Sequence, residues 1–456
     1  MFPYLAESVR PIESSNLCSI SLAKAGKTLT SRVVVVVVGL FSLLVVSAQA
    51  QGGGQKRDDI PIYPRFMNVI DHSPGTWPQV PFHSLRLWDT DTRWADLNPS
   101  QGTYDWTHLD KWLSTAQKHP GTTFLFTLAM TPRWASSNPD DHVCHYAPGE
   151  CDAPNDLNAD GTGTDQHWKD FVTAVATHVN GQINRWEIWN EPYEKFYWNG
   201  TVFQLARMAQ DARAIILSID PTAKLLNGGV EAQHPWALRW WDAYGAAGGL
   251  NYADILALHG DVRVIPEKCG VFPEAESLIT VMGNLKAILK KYGQQDKPVW
   301  DTEASWGPTD RDCFTNRDLQ AAFLARFFLL HRSVGIRRFW WRGWIDSGDG
   351  LYDQETGITK AGLAYTNLHS WLMTVPLTMQ PCTVSGTIWT CNFKGPKGYR
   401  AQAVWDTSQT CKDGNCEFSA YSPDPQFTDY KTLDGNTIQL IGNPVPIGAK
   451  PVWLEN

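Results

Sequence analysis

From about residue 61 to residue 373 the chain repeats one unit, a short apolar strand followed by an amphipathic helix. Eight candidate strands stand out, at 66–70, 84–88, 123–129, 185–189, 224–227, 255–259, 299–302 and 338–341. Between several of them the apolar residues fall three and four apart. Leu109, Trp112, Leu113 and Ala116 do so, as do Trp168, Phe171, Val172 and Val175, and Leu278, Val281, Met282, Leu285 and Leu289. That spacing lines one face of a helix. Strands alternating with helices form parallel units, and eight such units predict an α/β chain closed into a (β/α)8 barrel over 61–375. An open doubly wound sheet is the runner-up. It calls for a Gly-rich nucleotide loop after its first strand, and none is there.

After Pro376 the pattern changes. Stretches 387–393, 399–405, 418–421, 437–440 and 451–454 read as short strands, separated by turns such as Lys397-Gly398 and Asp434-Gly435-Asn436. They predict a small antiparallel β module over 376–456. A length of 456 residues accommodates one large barrel and such a module. No internal repeat beyond the strand–helix alternation is visible.

The N-terminus reads as an export signal. Lys24, Lys27 and Arg32 precede an apolar run at 33–46, and Ser47-Ala48-Gln49-Ala50 follows. Residues 1–50 are expected to be a signal peptide cut before Gln51, because the run is shorter than the ~20 residues of a membrane span. An uncleaved anchor is the alternative. Residues 51–60 read as a flexible lead-in. Cysteine usage agrees with a secreted or periplasmic destination. Of nine Cys, one (Cys18) lies in the leader. The rest are expected to pair as Cys144/Cys151, Cys269/Cys313, Cys382/Cys391 and Cys411/Cys416. No set has zinc-site spacing with suitable His, so no metal is expected. Asn199-Gly200-Thr201 is a sequon for N-glycosylation. A net charge of −8 without runs of like charge disfavours nucleic-acid and anionic-membrane partners. The 22 Trp are the unusual feature of the composition. A Trp ring has a flat apolar face and a polar N–H, which suits stacking on sugars, although large cores use Trp as well.

Barrel enzymes carry their reactive groups where strands run into the following loops. Two acidic residues stand there in an informative context. Arg185-Trp186-Glu187-Ile188-Trp189-Asn190-Glu191-Pro192 runs strand four into a carboxylate, and Pro192 is expected to keep Glu191 extended. Lys297-Pro298-Val299-Trp300-Asp301-Thr302-Glu303-Ala304-Ser305-Trp306 ends strand seven in another. A Glu or Asp at a strand end is more often a solvated or hydrogen-bonding residue, which is the reading for Glu231, Glu194 and Asp301. Glu187 shares the strand parity of Glu191 and is expected to point into the barrel and pair with an Arg.

Trp189-Asn190-Glu191-Pro192 resembles the Asn-Glu-Pro signature of clan A glycoside hydrolases. Leu85-Arg86-Leu87-Trp88, Trp94 through Gly102-Thr103-Tyr104-Asp105-Trp106, Leu256-Ala257-Leu258-His259 and the closing Pro451-Val452-Trp453-Leu454 fit the same architecture. Over about residues 60–456 the chain is most similar to glycoside hydrolase family 39, which includes β-xylosidases and exopolysaccharide-cleaving enzymes. The resemblance implies that Glu191 is the acid/base and Glu303 the nucleophile of a retaining hydrolase with a carbohydrate substrate and no cofactor. Asn190 would bind a sugar hydroxyl, Arg86 would orient a catalytic carboxylate, and His259 would stand near the site. Trp306, Trp341 and Trp344 are candidates for a stacking wall, and Trp134 is a weaker one. Trp186 and Trp240 read as packing.

One departure is visible. Many clan members carry a Tyr soon after the His of strand six, whereas His259 is followed by Gly260-Asp261-Val262. The chemistry itself needs a pair. One carboxyl protonates the leaving oxygen while the other, ionised and about 5–5.5 Å away, attacks the anomeric carbon. Two other functions share the same barrel: a carbohydrate-binding pseudoenzyme, and a transglycosylase that passes the sugar to an acceptor other than water.

Overall fold

The computed structural model describes residues 59–72, 76–262, 274–307, 316–345, 350–442 and 444–456. The expected signal peptide, most of the lead-in and the Cys269/Cys313 pair lie outside the described residues.

Eight parallel strands close into a barrel: β1 (Met67–Ile70), β2 (Ser84–Leu87), β3 (Thr123–Leu128), β4 (Arg185–Asn190), β5 (Lys224–Glu231), β6 (Leu256–His259), β7 (Val299–Ala304) and β8 (Arg338–Trp341). Closure comes from β1 pairing with β8, Met67 opposite Phe339. Each strand lies where the alternation puts it. β4 runs one residue longer than expected, and β5 and β7 run further still. β5 continues past the expected end at 227 through Gly228-Gly229. Here the glycines keep the strand and remove side-chain bulk: a Cβ on Gly228 would lie 2.8 Å from the Ile188 carbonyl oxygen.

Strand residues alternate between two cores. Val69, Leu85, Leu87, Phe124 and Phe126 face the helices, while Ile70, Leu125, Leu226, Ile255, Ala257, Trp300 and Trp340 fill the barrel interior. The helices α1 (Thr107–Gln117), α2 (Gln166–Val179), α3 (Val202–Ile219), α4 (Pro235–Ala246), α5 (Leu278–Lys291), α6 (Arg317–Ser333) and α7 (Lys360–Met373) cover the outside. Leu109, Trp112 and Leu113 of α1, and Leu278, Val281, Met282, Leu285 and Leu289 of α5, are the buried faces that their spacing predicts. Thr201 caps α3 in a reciprocal pair with Gln204. No helix among the described residues is long and apolar enough to cross a membrane.

The C-terminal residues form an antiparallel sheet around Ile388–Lys394 and Arg400–Asp406, extended by Val452–Glu455, Asp429–Lys431 and Thr437–Gln439. Ile60–Pro61 joins it by pairing with Thr378–Met379, so the end of the stretch expected to be a flexible lead-in is an edge strand. Disulfides join Cys144 to Cys151, Cys382 to Cys391 and Cys411 to Cys416.

The C-terminal module meets α6 at Cys411–Lys412, where Asn316 Nδ2 donates to the Cys411 carbonyl oxygen at 2.8 Å, and nearly every residue of that helix is buried. Trp371 of α7 stacks on Trp453 at 5.7 Å. The polar centre of this seam is Asp318. Its carboxylate receives Lys360 Nζ at 2.8 Å, Lys450 Nζ at 3.0 Å and the Gly414 backbone N–H at 2.9 Å. Burial pushes its carboxyl up, but these donors outweigh burial and hold it at about 2. Depression of this kind stabilises the folded chain above about pH 4 and is lost as pH falls through about 2. Asp318→Asn should therefore lower the unfolding free energy in urea by about 2 kcal/mol at neutral pH. The deficit should close as the pH falls from about 4 towards 2. A deficit independent of pH would contradict this account of the seam.

Candidate active site

Leu85 and Leu87 face the helices, so strand parity turns Arg86 into the barrel. Its guanidinium is fully buried and fully used. Nε and Nη2 reach Glu187 Oε2 at 2.8 and 2.7 Å, Nη2 donates to Asn190 Oδ1 at 2.7 Å, and Nη1 donates to Glu303 Oε2 at 2.7 Å. Thr127 Oγ1 donates to the same Glu187 oxygen at 2.8 Å. Burial works against this charge, but Glu187 and Glu303 outweigh it and keep Arg86 cationic. Glu187 thus points inward and pairs with an Arg, as its parity predicts. One planar fork joins β2, β4 and β7.

At the end of β4 the backbone departs from expectation. Glu191 is not extended but left-handed, with φ at +42°, and Trp189 also has positive φ, at +75°. Pro192 closes the right-handed helical region to residue 191. The chain still keeps Glu191 N–H on the Gly229 carbonyl oxygen at 3.1 Å. Non-glycine residues with positive φ cost about 1–3 kcal/mol each, and they persist where surrounding contacts over-determine them. Here the result is that Asn190 turns in to Arg86 while Glu191 meets His259. His259 Nδ1 lies 2.9 Å from Glu191 Oε1, and the ring is fully buried. The ring fits because residue 229 is glycine; a Cβ there would fall 2.0 Å from His259 Nε2. Burial disfavours the imidazolium, but the bond to Glu191 and the charges of Glu191 and Glu303 prevail and raise His259 to about 8.

Simple alternation along β7 would send Glu303 outward with Asp301. A register shift against β8 between Asp301 and Ala304 changes that. Asp301 faces the helix layer, where His331 Nε2 lies 2.6 Å from Oδ2 and the Gly260 N–H donates to Oδ1 at 3.1 Å. The irregularity re-aims the next acidic residue inward. Glu303 Oε2 meets Arg86, and Glu303 Oε1 lies 3.5 Å from Arg342 Nε. Burial alone would raise the Glu303 carboxyl; Arg342, His259, Arg86 and His72 together hold it at about 2. Glu303 is thus firmly ionised, and His259, hydrogen-bonded to Glu191, keeps a proton at neutral pH.

The structure thus brings together Arg86, Asn190, Glu191, His259 and Glu303. It treats the expected stacking residues differently. Trp306 and Trp341 are at most 1% exposed and pack on Phe323, in the layer between barrel and helices. Trp344 is fully buried and stacks on Tyr352 at 5.1 Å. None of the three has a ring face open to a sugar in this conformation. Trp134 lines a separate groove with Tyr104 and Trp106. Trp186 and Trp240 pack on Phe126 and Tyr244.

Sequence reasoning missed Arg342, His72, Tyr193 and Tyr197. Burial first, then the charges of Glu191 and Glu303, push the Tyr197 phenol up, and burial with Glu191 does the same for Tyr193. Both phenols stay protonated as hydrogen-bond donors. The nearness of Tyr193 and Tyr197 to the Glu191 motif was the available signal. Arg342 and His72 follow β8 and β1, and their position just past strand ends was the only hint. Trp88 meets Tyr146 and Tyr197 edge-on, and Tyr146 bonds Asp89, so the loop pinned by Cys144–Cys151 packs over the end of β2. Glu194 accepts from Trp236 Nε1 at 3.1 Å, and Glu231 lies 3.5 Å from His234. The sequon amide Asn199 Nδ2 donates to Asp141 Oδ2 at 3.0 Å and to Asp152 Oδ1 at 3.2 Å.

No family model matches the chain, and no curated protein does. Solved structures do. A family 39 glycoside hydrolase from Bacteroides cellulosilyticus WH2 superposes with a TM-score of 0.60 at 19% identity, over 86% of this chain and 82% of that one. A monomeric β-xylosidase from Caulobacter crescentus CB15 gives 0.57 at 14%, over 87% and 96%. The family 39 enzyme of Xanthomonas axonopodis pv. citri gives 0.57 at 16%, over 87% and 94%. The fold is that of clan A glycoside hydrolases, and it is most like that of family 39.

His259 gains its raised value on folding. Its contribution to stability is therefore complete below about pH 6.5 and lost as pH rises through about 8. Across that window the unfolding free energy in urea should fall by about 2 kcal/mol. His259→Gln should lack the fall. The same slope in the variant would contradict the assignment.

Proposed function

We propose that the chain hydrolyses O-glycosidic bonds of a poly- or oligosaccharide with retention of anomeric configuration. The observation that carries this reading is the unequal treatment of two carboxyls at one barrel mouth. Glu303 lies among cations that keep it ionised, whereas Glu191 forms with His259 a hydrogen-bonded pair that holds one transferable proton.

In the proposed cycle, Glu303 attacks the anomeric carbon while Glu191 delivers the proton held on the Glu191–His259 pair to the departing oxygen, and the glycosidic bond breaks. An ester of Glu303 results. Its formation removes the negative charge at Glu303, and Glu191 then takes a proton from the water that releases the sugar. Arg86 orients Glu303 and Asn190 together, so the amide meets a sugar hydroxyl in register with the attack. Arg342 supplies orientation at Glu303 Oε1 in a chain without the usual Tyr after His259. The phenols of Tyr193 and Tyr197 donate to the substrate or to Glu191. Trp306, Trp341 and Trp344 support the rim from behind. The reaction needs no metal or organic cofactor. Three disulfides suit an oxidising compartment, and we place the enzyme outside the cytoplasm with residues 1–50 removed.

The name of the Caulobacter crescentus neighbour, β-xylosidase, makes xylosides the first substrates to try. Proton NMR of the first product released should show the anomer of the substrate. Glu191→Ala should lose about 10²–10⁴-fold in kcat on substrates with poor leaving groups and much less on dinitrophenyl glycosides, with rate restored by azide. Glu303→Gln should be inactive on both. An inverted first product, or full turnover by Glu303→Gln, would overturn the proposal.

A further inference from the structure

The opposite end of the barrel carries a second concentration of charge. β4, β5 and β8 each begin with a cation: Arg185, Lys224 and Arg338. Arg337 immediately precedes β8, and Arg65 lies two residues before β1. All five line one cavity of about 540 Å³, together with Tyr63 and Trp300. That volume falls within the range of small-ligand pockets. The interior cluster that includes Ile70, Leu125, Trp300 and Trp340 fills the barrel between this cavity and the mouth. Arg185 and Asn190 are the two ends of β4, about 16 Å apart along the strand.

Asp220 and Asp254 oppose the charge of Arg185 from a distance, without contact. Among the described residues none of the five has a carboxylate at ion-pair distance. Asp254 lines the cavity, but its oxygens are committed: Arg213 donates to them at 2.8 and 3.0 Å, and the Leu225 N–H donates at 3.0 Å. Arg338 lies over the Trp300 ring at 4.3 Å, and Arg337 over Tyr63 at 6.0 Å, contacts that compensate weakly. The neighbours register the mutual repulsion. Burial and then Arg185 and Arg65 push Arg338 down to about 10, and burial with Arg65 lowers Arg185 against the pull of Asp220 and Asp254. Burial, Arg65 and Arg338 push His83, just before β2, down to about 4. A chain with net charge −8 has acids to spare, yet here it gathers five cations around an open cavity and ties up the one acid within it.

We propose that this floor of the barrel binds a ligand bearing clustered oxyanions, either a phosphate ester or a run of uronate carboxylates. Guanidinium forks chelate both groups. Tyr63, Pro64 and Pro298 line the same cavity and offer apolar surface to the carbon skeleton that carries those groups. Binding here leaves the mouth free.

Isothermal titration of the full chain at constant ionic strength tests it, with pyrophosphate and trigalacturonate as probes and sodium chloride as the control. Saturable binding of one ligand per chain is expected for at least one probe. Pyrophosphate alone would assign the site to phosphate esters, and trigalacturonate alone to acidic glycans; both would show a shared oxyanion site. Arg65 and Lys224 are exposed, so replacing them leaves the core intact. The double variant Arg65→Ala/Lys224→Ala should bind at least tenfold more weakly, with unchanged thermal midpoint in the absence of ligand. Absence of saturable binding by either probe, or equal affinity in the double variant, would overturn the proposal.

Discussion

A single buried guanidinium organises the mouth of this barrel. Arg86 has no exposure to water, and the groups that compensate its charge come from two other strands: Glu187 and Asn190 from β4, and Glu303 from β7. A buried charge missing a partner is costly, typically several kcal/mol. The three strands are therefore held to the one relative placement in which all of Arg86's partners are in reach. That requirement fixes the height and aim of Glu303 and sets Asn190 beside the turn that carries Glu191. Thr127 on β3 extends the network to a fourth strand.

Aiming the carboxylates requires breaking regular strand geometry twice. At the end of β4, Trp189 and the next residue past the strand, Glu191, adopt positive φ, and on β7 a register shift carries Glu303 inward while Asp301 remains outward on His331. Both irregularities occur where strands meet the mouth, and the rest of each strand keeps strict alternation. Glycine at 229 belongs to the same arrangement, because it lets His259 come close enough to reach Glu191. Irregular backbone and missing side chains are thus concentrated around the two acidic groups.

Most of the fold was legible in the sequence, for a simple reason. Eight apolar stretches and the helical spacing between them report burial directly, and burial is what strands and helices are selected to satisfy. Glu187 facing an Arg followed from parity alone. What was not legible depends on contacts between distant residues. The left-handed Glu191 and the shift in β7 are local departures from alternation, so alternation could not announce them. The strand expected at 224–227 continues through Gly228-Gly229, since close packing and a turn call for the same residue and alternation does not tell them apart. Trp306, Trp341 and Trp344 stand near strand ends, but their rings fill the core, and composition cannot separate a stacking ring from a packing one. The cationic floor was invisible because its five residues come from separate segments and form no run. A chain acidic as a whole hides a local cationic pocket.

The central claim is that Glu303, held ionised in this network, becomes covalently attached to sugar. The direct measurement is mass spectrometry of the chain after incubation with a panel of 2-deoxy-2-fluoro glycosyl fluorides, which slow release of the sugar. The account predicts a mass increase of one sugar, mapped by fragmentation to Glu303 and absent in Glu303→Ala. An adduct on another residue, or hydrolysis of the matching aryl glycosides with no adduct at all, would contradict it.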